Sequence, residues 1–431
     1  MKNSIIITII AFVIALQSCS PDKKLSDHQL LTQLDSLYDA DSYFKFMSVL
    51  ELNKQKLEEK DLLYYSALSN FVFNNQSASI HDIDLLLSKY KQEINDTLLT
   101  KIYRAKRMSH INSYEYAKAV EASKILIDHF KHIEDSADYA ELLNEHKIWI
   151  ALSKSPKQEI SIKRDCVIPM KRDKVGLMNV ITNIGSDTVN FLFDTGANFS
   201  VMTRSVAHKH DIEIIEADFY VTAATGNRVA CDLAVVKEIQ IADIMVYNSV
   251  FLVMEDEDLS FPQIDYYPNG AIGFPIIEAM EELRFDRDGK IFVPATPTTY
   301  SFNNLALDGL MPVLAVNYND DTLQFNFDTG ASHTSFYSPF YLKYQEDIDQ
   351  KYPRQTFSAG SGGGSKEFEG FIIDSIQLGV ANSKASLVNT RLHQSPLTHQ
   401  EETIHGNFGQ DYIKQFEEMI ISFKYSSVVF K

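Results

Sequence analysis

An apolar run ending in Asp-Thr-Gly-Ala occurs twice in this chain, as "NFLFDTGAN" at 190–198 and "QFNFDTGAS" at 324–332. Asp194 and Asp328 therefore lie 134 positions apart. A strand that runs into a glycine turn, with an acid at the bend, is a demanding local structure. With each residue type near 5–7% of positions, Asp-Thr-Gly arises by chance about once in several thousand positions. Two copies behind apolar strands imply a duplicated unit whose two acids meet.

The repeat extends in both directions. "GLMNVITNIGSDTVNFLFDTGAN" is answered by "GLMPVLAVNYNDDTLQFNFDTGAS", and "NGAIGFPII" (269–277) by "HGNFGQDYI" (405–413). Gly273 lies 79 residues after Asp194, and Gly409 lies 81 after Asp328. Each unit ends in a hairpin-like segment, "LRFDRDGKIFV" or "ISFKYSSVVF", the first with an Asp-Gly turn. The Pro/Thr-rich stretch 293–309 reads as a linker. Two β-rich lobes are expected, 160–297 and 298–431, packed about a pseudo-two-fold axis as a symmetric dimer would be.

Upstream the texture is helical. From 33 to 155 apolar residues recur at three and four, as in Leu62, Tyr65, Leu68 and Phe71, with polar breaks such as "FNNQSAS" between segments. The helix pairs resemble tetratricopeptide-type hairpins. Such a region either offers a groove to a protein partner or caps its neighbour. The expected class is thus multidomain, α plus all-β: a helical hairpin region followed by two duplicated β lobes.

The N-terminus has one Lys, an apolar core from Ile5 to Leu16, then Leu16-Gln17-Ser18-Cys19. A 12-residue apolar run is too short for a bilayer span, which needs ~20 residues, and suits a signal peptide. It resembles a bacterial lipoprotein signal, which implies removal of 1–18, lipidation of Cys19, a tether over 19–32, and a cell-envelope protein facing periplasm or surface. An ordinary cleaved signal and an uncleaved anchor are the rivals. Cys166 and Cys231 remain, as packed thiols or as a disulfide. A net charge of −18 excludes a nucleic-acid binder, since no basic stripe is present.

Asp-Thr-Gly after an apolar strand, with a Gly-x-apolar-Gly segment later in the same unit, resembles the aspartic protease family. The Asp-Thr-Gly-Ala form is that of the retroviral, retropepsin branch, whereas pepsins commonly carry Ser or Thr after the glycine. The resemblance covers 165–431. It implies an endopeptidase whose catalytic pair is Asp194 and Asp328, acting on peptide or protein without metal or cofactor. Two carboxyls at about 3 Å cannot both ionise, so the pair holds one proton and titrates as a unit. By the family pattern Thr195 and Thr329 bond across the axis, while Gly196, Gly330, Gly273 and Gly409 shape the active-site loops. Ala197 and Ala331 cannot donate the hydroxyl hydrogen bond of pepsins, which predicts activity reaching toward neutral pH.

The family also closes two hairpin flaps over its substrate. The candidates are 219–230, with Ala224, Thr225 and Gly226 at the tip, and 356–370, with Gly360, Gly362 and Gly363. Asn407 departs from the pattern, standing where the family has an apolar residue. No flap carries the Tyr-Gly of pepsins, although Tyr220 is nearby. The histidines are scattered and the acidic run "MEDEDLS" (254–260) reads as a solvated loop, so no metal site is expected. The alternative to peptide hydrolysis is a module that grips extended peptides uncut, or one that scaffolds a partner.

Overall fold

The computed structural model describes residues 26–361 and 364–431. The expected signal segment, Cys19, Gly362 and Gly363 lie outside the described residues.

Among the described residues seven α-helices come first: α1 His28–Asp39, α2 Tyr43–Asn53, α3 Glu59–Val72, α4 Gln76–Tyr90, α5 Asp96–Asn112, α6 Tyr116–His129 and α7 Ser136–Leu152. Side-chain caps start three of them. Asp27 accepts from Gln29 N, Asn95 from Leu98 N, and Asp135 from the amides of Ala137 and Asp138. Consecutive helices pack on one another, burying Leu34, Phe46, Val72, Ile83, Leu86 and Leu126. The turns after α3 and α5 each use a non-glycine residue at positive φ, Asn74 (59°) and Tyr114 (58°).

Those two residues also dock the helical region. Asn74 Nδ2 donates to Glu278 Oε1 at 2.8 Å, and the Tyr114 hydroxyl donates to the Pro275 carbonyl at 2.7 Å. Both acceptors lie in the short helix Phe274–Glu278, immediately after Gly273. The apolar cores are also shared. Ala306, Val313 and Ile404 of the second lobe belong to the helical core, while Ile111, Tyr116, Ile148, Trp149 and Leu152 join the core of the lobes. The helical region is therefore built into the protein rather than strung beside it.

Two β-rich lobes follow. In the first, Asp187–Phe193 pairs antiparallel with Met178–Ile184 and parallel with Gly270–Ile272. In the second, Asp321–Phe327 pairs the same way with Met311–Tyr318 and Gly406–Phe408. Each acid-bearing strand is thus sandwiched before it reaches its turn. The hairpin-like segments at the lobe ends do form hairpins, but they also pair with each other across the axis. Glu282–Asp286 runs antiparallel to Glu418–Ser422, with Leu283 opposite Ile421. Lys290–Val293 and Cys166–Arg172 extend this sheet on one side, and Ser427–Phe430 on the other. Cys166 and Cys231 are free and buried, and burial pushes the Cys231 thiol up to about 12, so Cys231 is not poised as a nucleophile.

Candidate active site

Each acid is first fixed through its backbone. Asp194 N donates to Ile272 O at 3.0 Å and Asp328 N to Phe408 O at 3.1 Å, so the strand carrying the downstream glycine holds the loop. Gly273 N then donates to Ser200 Oγ (3.0 Å) and Gly409 N to Thr334 Oγ1 (3.1 Å). Phe274 N and Gln410 N return to the carbonyls of Ala197 and Ala331, at 2.8 and 2.9 Å. In these backbone bonds the two halves match.

The threonines lock the halves together. Thr195 Oγ1 donates to Phe327 O (2.6 Å) and Thr329 Oγ1 to Phe193 O (2.9 Å). Each hydroxyl also accepts the other threonine's amide at 3.0 Å. Both residues are fully buried, so all four groups need these partners. The crossing places each carboxyl over the opposite glycine. A Cβ on Gly196 would stand 2.5 Å from Asp328 Cγ, and one on Gly330 would overlap the Asp194 carboxyl. No residue larger than glycine fits beneath the pair.

Asp194 and Asp328 hydrogen-bond each other, and each Oδ1 accepts the amide two residues on, from Gly196 or Gly330, at 2.8 Å. Burial, and after it the charge of Asp328, holds the Asp194 carboxyl well above the usual carboxylate range. One donor breaks the symmetry: Asn407 Nδ2 donates to Asp328 Oδ2 at 2.8 Å. Its counterpart in the first lobe is Ala271, which has no polar group to offer.

The first flap candidate is the hairpin of Ile214–Thr222 and Arg228–Ile241. Its tip spans Ala223–Asn227, with Ala224 and a buried Thr225, and Gly226 at φ +77°. A Cβ on Gly226 would stand 2.5 Å from Leu397 O and 3.6 Å from Lys366 Nζ, so the tip reaches the second lobe and its hairpin. That second hairpin pairs Gln355–Ser361 with the start of Gly364–Val380, Gly360 lying opposite Ser365.

Helix α7 forms a wall no sequence motif announced. Asn144 grips Tyr220 like a neighbouring strand, Nδ2 donating to Tyr220 O (2.9 Å) and Oδ1 accepting Tyr220 N (3.1 Å). One turn to either side, Glu141 accepts the Tyr220 hydroxyl (2.9 Å) and Lys147 pairs with Asp218 (3.0 Å). Tyr220 thus faces the helix, with the Arg228 guanidinium 4.3 Å from its ring centre. Below, Tyr116, Trp149 and Phe199 stack in series at 5.9 and 5.8 Å, bringing the helical core against the residue that closes the first Asp-Thr-Gly-Ala loop. Both acids, both hairpins and α7 line one cleft of about 2110 Å³.

Asn407 was visible in the sequence as a departure from the family pattern. Asn144 had a fainter signal: a polar residue on the row of Ile148 and Leu152, both of which are buried. Among the described residues no His, Cys, Asp and Glu cluster has the makings of a metal site. His393 pairs with Glu401 at 3.2 Å, and burial pushes His405 down to about 4, away from the dyad chemistry.

Comparison with known proteins agrees with this geometry for the first lobe. Residues 180–274 match the family model described as aspartyl protease, a stretch running from the strand before Asp194 past Gly273. No curated protein matches the chain. Among solved structures, basic 7S globulin from soybean is similar at 11% identity and a TM-score of 0.38, covering 62% of this chain and 94% of the globulin chain.

Proposed function

We propose that the protein is an aspartic endopeptidase, cleaving peptide bonds with a water activated between Asp194 and Asp328. The observation that carries the reading is the pair itself: two half-buried carboxyls hydrogen-bonded to each other, over crossed and fully buried threonines, lining one cleft. The aspartyl protease match over 180–274 supports a protease-type function.

In this reading a peptide lies extended beneath the two hairpins. One carboxylate takes a proton from water as its oxygen attacks the carbonyl carbon, and the other carboxyl protonates the carbonyl oxygen. The resulting gem-diol collapses when the first acid returns its proton to the amide nitrogen and the second recovers one from a hydroxyl. The C–N bond breaks, leaving a carboxylic acid and an amine. Loops held by four buried hydrogen bonds suit this chemistry, because a misplacement of about 1 Å can cost ~100-fold in rate. Lipid attachment at Cys19 and an envelope location belong to the same proposal, supported by the residues before that cysteine.

The test is a diverse peptide library incubated across pH 4 to 8 with the chain beginning at Ser20. Wild-type cleavage is expected, and Asp194→Asn and Asp328→Asn are each expected to lower it on the order of a thousand-fold or more. A folded wild type that cuts nothing would move the function to gripping peptides uncut. For the anchor, Cys19→Ser is expected to shift the protein from the membrane to the soluble fraction, and unchanged fractionation would remove it.

A further inference from the structure

We propose that Asn407 divides the labour of the acid pair, keeping Asp328 as the carboxylate that activates water and leaving the shared proton on Asp194. The proposal rests on the peptidase reading above and assigns a positioning residue within it.

The two halves supply the same backbone donors to the same inner oxygens, so these bonds do not distinguish one acid from the other. The difference lies on the flanking strands. In the second lobe Asn326 stands opposite Asn407, and in the first lobe the equivalent pair is Leu192 opposite Ala271. Among the described residues only Asp328 therefore meets a side-chain amide, and Asn407 Nδ2 holds its outer oxygen at 2.8 Å. An N–H aimed at a carboxylate oxygen stabilises the ionised form over the neutral one.

The other groups facing the pair do not offset this. Tyr337 lies near Asp328, and Tyr266 lies near Asp194 with Asp173 behind it. Both phenols are held above their ordinary range by burial and stay neutral throughout the working pH. Among the described residues, the charge that acts most on Asp194 is that of Asp328, which helps keep the proton on its raised carboxyl. Each step then has its residue. Asp328 removes the proton from water, and Asp194 protonates the carbonyl oxygen. Asp328 next protonates the leaving nitrogen while Asp194 takes a proton back from the gem-diol, which restores both acids. Ala331 cannot supply a hydroxyl to Asp328, and Asn407 fills that role from the neighbouring strand.

The sign of the effect is specific. Asn407 stabilises the singly charged pair relative to the doubly protonated one, but it serves the doubly charged pair equally. It therefore lowers the first ionisation and leaves the second unmoved. Asn407→Ala, which makes the second lobe match Ala271, is expected to raise the acid limb of kcat/KM by about one pH unit, with the alkaline limb in place. On the acid side of both limbs that is a loss of about tenfold in kcat/KM. Ala271→Asn is the mirror variant: it eases the second ionisation and moves the alkaline limb down.

A uniform drop in rate with neither limb displaced would reduce Asn407 to a packing role and overturn the proposal. Carboxyl-carbon NMR of aspartate-labelled protein, with Asp328→Asn for assignment, reads the same ionisation without substrate. Asp328 is expected to lose its proton first, and Asp194 titrating first overturns the assignment. Should the NMR order hold in a protein that cleaves nothing, the division between the acids stands and the peptidase reading falls.

Discussion

At the residue scale, the site is a set of buried polar groups with little slack. Thr329→Val strips the partner from Thr195 N and from Phe193 O, both inside the protein. It is expected to cost about 2–4 kcal/mol, measured by denaturant unfolding, and a change within error would mean the crossed loops relax without penalty. Asp194 works in the opposite sense. Its folded-state affinity for a proton exceeds that of the unfolded chain, so stability falls as pH rises from the ordinary carboxylate range through the raised value. Asp194→Asn removes that loss, and its melting temperature is expected to exceed wild type by a few degrees at pH 8, the gain shrinking below pH 4. A gain independent of pH would point to repacking instead. The acids, threonines and glycines were legible because Asp-Thr-Gly serves a turn that few other residues can make. The meaning of Asn407 was not, since a single amide among strands shows no partner until two distant segments are aligned.

At the scale of elements, α7 and the first hairpin act as one piece. The paired bonds between Asn144 and Tyr220 give an edge strand the partner it lacks at the rim of its sheet. Asn144→Ala is expected to speed amide exchange across 214–230 by about tenfold. The same variant should raise KM more than it lowers kcat, because a loosened hairpin closes less often over peptide. Exchange equal to wild type would show that the hairpin holds itself in place. The hairpin was readable as two β runs around "ATGN", but its clamp was not, because helical periodicity marks Asn144 only as a misfit on an apolar row. The strand Asp321–Phe327 teaches the same lesson. Its alternation of Leu323, Phe325 and Phe327 with Gln324 and Asn326 reads as one wet face, yet both faces are buried. Gln324 is covered by the helical region and accepts Tyr43 N at 3.1 Å.

At the scale of the whole molecule, helices and lobes share their cores, so they are expected to unfold together. Calorimetry should give one main transition, and two separated ones would show that the helical region is an independent domain. Removing 28–152 is correspondingly expected to leave the lobes insoluble, with Phe199 and the docking face around Pro275 stripped of cover. A soluble, cleaving fragment of 160–431 would contradict that. The chain itself determined the duplication, the paired acids, their turns and the order of helical and β regions. These rest on local chemistry, where a strand period, a helix period and a glycine turn are written in adjacent residues. Tertiary structure alone decided that the lobe-end hairpins pair across the axis and that α7 walls the cleft. It alone decided, too, that one amide distinguishes two otherwise equal acids. Each of those depends on which surfaces meet, and burial and hydrogen-bond satisfaction between segments more than seventy residues apart leave no period in the sequence.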